Sequence, residues 1–449
     1  MAEQKNVSSS EHIFLLPFYY ECEAPDEQDA ERYFRLLLKE KEWCDAWTPK
    51  DRAVAYARWE YLSNEARGIF PDLSLNQVDA RGICNILRWW QDDAQNNTYQ
   101  LIREKTWTLD VLGLELHIYR HGVAILVLHT ANRTYPDLAD IQKIADFGRR
   151  LRQPNFPGKE KNGLSADTVK LMLNGQTYTA ELFQQIKETV ESENTTAPTP
   201  HFLWDLVSAP GIQITPVADD RMFEMELVYD ENLSQQIKGS HGPWRENGTL
   251  EQQLYSLVFC DKGDPTCQDS IMRRELLQKT VDPRWADYGT LYAASEYSFL
   301  CVTGSNKDAR DFVGPNFLTQ YLYMVSLVLA QRMGLIRFAE RAGALDYRMR
   351  KGKFAKHLNA LSADFSNFQM QMLISRFSDQ DQGIELYELL QKQLRVEQYR
   401  DKINSQLQGV FENASLNMQQ KQNTRIAVFA SILGVIQIAI AVWQVFCQH

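Results

Sequence analysis

Hydrophobic and polar positions alternate along several stretches of the N-terminal two thirds of the chain. Residues 12–21 (HIFLLPFYYE) predict a strand, and residues 106–131 (TWTLDVLGLELHIYRHGVAILVLHTA) predict two strands joined at Arg120, His121 and Gly122, a hairpin signal. Residues 137–151 (DLADIQKIADFGRRL) switch to a helical spacing, with an acidic first turn and a basic last turn as the helix dipole favours. Further strands are predicted over 222–230 (MFEMELVYD), 254–261 (LYSLVFCD) and 292–303 (YAASEYSFLCVT). The stretch 154–200 is rich in Lys, Asn, Gly, Thr and Pro, ends in TTAPTP, and reads as a loop-rich insertion. No internal repeat is visible.

Beyond residue 316 the pattern is helical. Residues 317–345 predict a long helix whose apolar run is interrupted by Gln331, Arg332, Arg337 and Arg341, which marks it as a buried helix of soluble protein rather than a membrane span. Residues 383–425 contain no proline and one internal glycine, Gly409, and predict a second long helix. On it Leu389, Val396, Ile403 and Val410 recur every seven residues, with Leu386, Leu407 and Ala414 on a companion seam broken by Gln393 and Arg400. That seam suits a polar-centred bundle between chains, or equally an amphipathic helix lying on its own domain. Residues 426–446 (IAVFASILGVIQIAIAVWQVF) carry no formal charge and as a helix span roughly 30 Å, the thickness of a bilayer core. Lys421 and Arg425 precede this segment, so the positive-inside bias leaves the bulk of the chain in the cytoplasm, with the topology of a tail anchor. Within it Ala427, Ala430, Gly434, Gln437, Ala441 and Gln444 share one face. Small residues let helices approach and a glutamine amide is costly against lipid, so the stripe faces other helices, a pore lumen or a membrane partner. The expected architecture is therefore α+β: a cytosolic α/β domain over 1–315, a helical stalk over 316–425 and a single transmembrane helix over 426–446.

Composition narrows the function classes. The chain has 449 residues, 44% hydrophobic, with a net charge of −10, which disfavours a general role on nucleic-acid backbones. Seven scattered cysteines without a Cys-x-x-Cys pair fit a reducing compartment, and the polar N-terminus lacks the apolar core of a signal peptide. No P-loop, dinucleotide fingerprint, nucleophile elbow or His-Glu-x-x-His is present, and no nucleophile–base pair stands out, so an enzyme is not expected. His117 and His121 lie about 13 Å apart if both are on one strand, too far to share an ion. The basic cluster Arg348, Arg350, Lys351, Lys353 and Lys356 suits an anionic ligand or lipid headgroups, or is a solvated helix face. Asp379, Asp381 and Glu385 could bind Mg2+ or another divalent cation between subunits, or cap and compensate a helix start. The loop 304–317 (GSNKDARDFVGPNF) has the residues of a phosphate cradle but reads more simply as a strand-to-helix turn.

Several stretches, LELHIYRHGVAILVLH followed by DIQKIADFGRRL, then YGTLYAASEYSFLCVT, TQYLYMVSLVLAQRMGLIRF and SDQDQGIELYELLQKQL, resemble a bacterial branch of the CorA-type magnesium transporter superfamily. The resemblance implies a homo-oligomer, pentameric in the better-known relatives, in the bacterial inner membrane, with stalk helices converging on a pore. The chain departs from the transporter pattern in having one membrane helix and no Gly-Met-Asn, since Gly434 is followed by Val435 and Ile436. The expected function is a pore formed or gated by a membrane-anchored oligomer, triggered by a small molecule or protein. By analogy this suits an effector of antiphage defence; the alternative is a tail-anchored sensor or scaffold.

Overall fold

The computed structural model describes residues 9–23, 29–40, 42–45, 56, 59–70, 82–89, 91, 96–152, 163–182, 201–217, 221–238, 248–345 and 351–409. The segment 426–446, with Ala430, Gly434, Gln437, Ala441 and Gln444, lies outside the described residues, as do Arg348, Arg350 and the insertion's two ends at 153–162 and 183–200.

Alternation in the sequence becomes one mixed sheet. Its thirteen strands are β1 (Ser9–Cys22), β2 (Trp43–Asp45), β3 (Cys84–Trp89), β4 (Thr98–Ile102), β5 (Thr106–Tyr119), β6 (Val123–Asn132), β7 (Thr168–Leu173), β8 (Gln176–Glu181), β9 (Ile212–Pro216), β10 (Phe223–Tyr229), β11 (Val281–Asp282), β12 (Leu291–Ala294) and β13 (Ser298–Thr303). The order along the main path is β11-β12-β13-β10-β1-β6-β5-β4-β7-β8. The β5–β6 hairpin turns where expected: His121 (φ 71°) and Gly122 (φ 76°) are both left-handed, as a tight hairpin with the twist of its strands requires. All neighbours on the main path pair antiparallel except β10 and β13, which run parallel.

Helices cover both faces. The helices that matter below are α1 (Leu138–Gly148), α2 (Glu231–Lys238), α3 (Gly248–Val258), α4 (Leu322–Gly343), α5 (Lys351–Met372) and α6 (Asp381–Gln393). Ile141 of α1, Leu233 and Ile237 of α2, and Leu250 and Leu254 of α3 form one core with Val228, Leu291, Leu300 and Val302 of the sheet. A second core centres on Phe14, Leu16, Phe18 and Tyr20 of β1 with Leu114, Leu116, Leu126 and Leu128. On the opposite face Ser326 of α4 meets His117 and Tyr119, and Tyr19 Oη donates to the Met333 carbonyl at 3.1 Å. Gly334 allows this helix to lie against the Phe368 ring, which a Cβ at 334 would strike.

Three local expectations are corrected. Residues 254–261 belong largely to α3, not to a strand: Leu254, Tyr255, Ser256, Leu257 and Val258 are all buried, so the β-rich run belongs to a helix covered on every side. Residues 292–303 are two antiparallel strands, β12 and β13, joined by a turn that Ser295 Oγ holds by accepting from the N–H groups of Tyr297 and Ser298. Within 154–200, β7 and β8 form a hairpin that extends the sheet from β4, so this stretch is in part an integral edge of the domain.

The chain divides into two compact units, residues 1–334 with 368–396, and residues 335–367 with 397–449. In the first, the predicted stalk is not continuous: α6 ends at Gln393, and Arg395 adopts a left-handed conformation (φ 56°) with its guanidinium on Glu296 at 2.5 Å. Residues 396–409 are again helical. In the second unit, Phe338 packs on Phe365 with ring centroids 5.2 Å apart and Arg341 pairs with Asp364 at 2.9 Å, while Phe354, Leu358 and Leu361 of α5 are buried at helical spacing. The seam residues Leu386 and Val396 are buried in the first unit, and Ile403 and Leu407 in the second. A helix from Ala309 to Gly343 is long and apolar enough to cross a membrane, and 78% of its most apolar window is already buried within protein, as in a core helix.

Candidate functional site

Two arrangements of polar side chains distinguish this molecule, one sealed and one open. The sealed one lies between the two apolar cores, on the sheet face shared by β1, β10 and β13. Because strand side chains alternate, Ser10 and His12 of β1 lie on the same face as Glu224 and Glu226 of β10, with His12 directly opposite Glu226. Ser10 Oγ is 2.9 Å from His12 Nε2, and His12 Nδ1 is 2.8 Å from Glu224 Oε1. The Cys260 thiol donates to Glu224 Oε2 at 3.3 Å, and Asn132 Nδ2 donates to Ser10 Oγ at 3.0 Å. The Ser-His-Glu order is that of a hydrolytic relay, a nucleophile–base pair that sequence reasoning missed because its third member lies 212 positions away. Ser10 is 1% exposed and His12 0%, so no substrate reaches the hydroxyl in this conformation and the relay acts as an internal hydrogen-bond network. Beside it Glu226 is fully buried with neither carboxyl oxygen hydrogen-bonded among the described residues. Burial first, and the neighbouring Glu224 charge second, push its carboxyl well above the usual range, which favours the protonated form.

On the opposite face Glu115 has the reverse balance. Burial pushes it up, but hydrogen bonds and charge from His117 (3.2 Å) and Arg88 (2.6 Å) outweigh that and hold its carboxyl at about 2. His117 also meets Ser326 Oγ at 2.7 Å, His121 contacts Gln371 at 3.1 Å and His129 contacts Glu11 at 2.8 Å. Each of the three histidines is thus engaged separately, and no group of three metal-capable side chains occurs among the described residues.

The open arrangement is a cleft of about 430 Å³ beyond the carboxyl end of β13, in the size range of small-molecule sites. Strands β10 and β13 are parallel and end side by side at Tyr229 and Thr303, and the crevice outside the carboxyl ends of parallel strands is where open α/β sheets bind ligands. Thr290 and Thr303, bonded through their hydroxyls at 2.7 Å, line it, as do the buried rings of Tyr292 and Tyr321. Its other walls include Trp285, Tyr288 and Phe312, which are 38%, 71% and 65% exposed. Few large aromatic side chains are this open elsewhere among the described residues. A second cavity, of about 20 Å³ and apolar, lies beside Phe14 and Tyr99 and holds no more than a water.

The loop 304–317 forms one side of the cleft, and two of its backbone donors are committed, while the buried Ser305 hydroxyl has no hydrogen-bond partner among the described residues. The Ser305 N–H donates to Glu231 Oε2 at 3.2 Å, and Asn306 Oδ1 accepts from the Ala309 N–H at 2.8 Å. A carboxylate already occupies the place a phosphate would take, held below its usual range by the Gln235 amide and that N–H. The helix that follows is under-wound over Ala309–Val313 and Phe317–Tyr321, on either side of Pro315, which has no N–H to give to a regular turn.

The candidate cation ligands prove to serve the same cleft. Asp381 and Glu385 take the Arg284 guanidinium, at 3.3 and 2.6 Å, so an internal cation stands where Mg2+ was expected; Asp379 is exposed. Arg284 lies 5.9 Å from the Trp285 ring centroid, and Trp285 meets Tyr288 edge-on at 5.9 Å, so α6 steadies the aromatic wall. Gln382, between the two acids, lines the cleft with its Nε2 buried and without a hydrogen-bond partner among the described residues. Of the basic cluster, Lys353 and Lys356 lie exposed on α5. The aromatic walls were missed in sequence because Trp285, Tyr288 and Phe312 lie in or beside turns, where no periodicity sets them apart. Compared with protein-family profiles, with curated proteins and with solved structures, the chain matches none.

Proposed function

We propose that this chain is a membrane-anchored, CorA-like homo-oligomer in which the α+β unit senses a small ligand and the C-terminal helix forms or gates an ion-conducting pore. The observation that carries the sensing role is the cleft: an open, aromatic-walled volume at the ends of parallel strands. Support for the pore comes from the stripe of small and amide residues on residues 426–446, since Gln437 and Gln444 are costly against lipid and stable beside water or one another. Without Gly-Met-Asn the chain lacks the selecting entrance of the transporters it resembles, so the reading names no selected ion. A bacterial inner-membrane location, a single pass and a role as a triggered effector in antiphage defence belong to this reading.

The test is ion flux from liposomes containing the full-length protein. Gln437→Leu with Gln444→Leu should abolish or strongly reduce flux, with the mass of the assembly measured alongside to separate loss of the lining from loss of association; flux equal to the native protein's would remove the pore role from that face.

One observation favours a second reading, a tail-anchored sensor or scaffold without transport. Leu386, Val396, Ile403 and Leu407, four of the residues that would zip stalk helices between chains, are already buried within a single chain, Leu389 is half-buried, and Val410 and Ala414 lie outside the described residues. On this reading an unrelated apolar 21-residue helix should replace residues 426–446 with full activity, and loss of activity in that chimera would count against it.

A further inference from the structure

Resting on the sensing role, the chemistry of the cleft specifies what it takes. We propose that it binds a planar, nitrogen-rich heterocycle of neutral or positive charge and nucleoside size, and discriminates against the phosphorylated forms. Three features combine. The exposed rings of Trp285, Tyr288 and Phe312 offer π-faces on which a flat heterocycle stacks, and such faces otherwise stand in water at a cost in solvation. The lining also supplies hydrogen-bonding groups: the carboxamides of Asn316 and Gln382, and the carboxylates of Asp287 and Asp308 as acceptors for exocyclic amines. The Nε2 group of Gln382 is buried and unsatisfied in the free protein, a donor that a small side-chain movement would offer to a ligand's acceptor.

Charge excludes the alternative that the loop sequence suggests. Among the side chains lining the cleft the two carboxylates outnumber the one cation, Lys238, and the Ser305 N–H is already given to Glu231. A polyphosphate would meet net negative charge and a committed loop donor, so binding must come from the base rather than from phosphate. A quaternary ammonium would satisfy the rings and the carboxylates but leave the amide donors and acceptors unused.

The experiment is binding to detergent-solubilised full-length protein, followed by calorimetry and thermal shift, with adenosine, guanosine, cytidine, uridine, ATP and choline as probes. At least one nucleoside should bind saturably at millimolar concentrations or below and raise the melting temperature. ATP should bind at least about fivefold more weakly than adenosine, and that gap should narrow in Asp287→Asn with Asp308→Asn. Tyr288→Ala with Phe312→Ala alters two exposed side chains, leaves the buried core untouched and should weaken nucleoside binding about tenfold. Absence of saturable binding by all four nucleosides, affinity unchanged in the Tyr288, Phe312 variant, or tighter binding of ATP or choline than of any nucleoside would overturn the assignment. The readout is independent of flux. Nucleoside binding that leaves conductance unchanged upholds the ligand class and removes the gating role, whereas conductance without nucleoside binding does the reverse.

Discussion

A carboxyl group with no exposed surface and neither oxygen hydrogen-bonded, as at Glu226, folds in its protonated form because the alternative is an uncompensated buried charge. The consequence for stability has a definite sign. In the unfolded chain Glu226 ionises above about pH 4.3, while in the folded protein its affinity for the proton is raised, so the folded state holds one proton more over the interval between. Stability contributed by that proton is complete at acid pH and falls by about 1.4 kcal/mol per pH unit through the window until the folded group itself ionises. Glu226→Gln keeps the shape and removes the titration. It should leave the melting temperature unchanged at pH 4 and raise it by several degrees at pH 8, read by circular dichroism at both values. An equal shift at both pH values would mean that Glu226 is ionised in the fold. Glu115 behaves oppositely: held at about 2, it stabilises the fold above its unfolded value, and that contribution is lost as pH falls toward 2. Neither behaviour is legible from composition, since the two glutamates differ only in what the sheet places around them: Arg88 and His117 for one, Glu224 for the other.

Among elements, one close approach between helices in the first unit is at Gly334 of α4, where a Cβ would collide with the Phe368 ring of α5. Phe368 is fully buried, so its ring has little room to retreat. Gly334→Ala should therefore destabilise by about 1–3 kcal/mol, against the few tenths to 1 kcal/mol that alanine normally gains over glycine inside a helix. Adding Phe368→Leu should recover part of the loss, and a double-mutant cycle by denaturant unfolding measures the coupling. Elements with strong alternation were legible in sequence: β1, the β5–β6 hairpin and β10 each lie where the pattern placed them. The errors have one physical source, that burial on all sides erases periodicity. The window YSLVF in α3 has β-forming residues in a buried helix, and in residues 292–303 the turn at Ser295, Glu296 and Tyr297 is too short to stand out between two buried strands. The break at Arg395 left no local trace, because a left-handed arginine is sustained by a partner, Glu296, ninety-nine positions earlier. The cleft was half legible. Its loop was read as a strand-to-helix turn, with a phosphate cradle as the lesser reading, and only the fold brings Glu231 to the Ser305 N–H that a phosphate would use.

At the scale of the whole molecule, assembly must be reconciled with what a single chain already buries. A stalk that oligomerises as a coiled coil needs an apolar seam facing other chains, yet Leu386, Val396, Ile403 and Leu407 are 0%, 3%, 1% and 7% exposed within one chain. Opening these contacts to rebuild them between subunits would sacrifice burial of large aliphatic side chains at about 1.5–3 kcal/mol each, with no gain in total area to offset it. On the proposed pore reading the drive to associate falls to residues beyond 409, where the sequence from Ala430 to Gln444, if helical in lipid, would offer small-residue contact and amide hydrogen bonds between chains. This gives a sharp expectation for mass measured by light scattering. Full-length protein in detergent should form a ring-sized assembly near five chains, and a chain ending at Thr424 should be monomeric. If the truncated chain also holds the ring, the cytosolic units carry the interface and the buried seam is irrelevant to it. If the full-length protein is a monomer or dimer, too few helices surround any axis to enclose water, and the tail-anchored sensor becomes the correct account of this molecule.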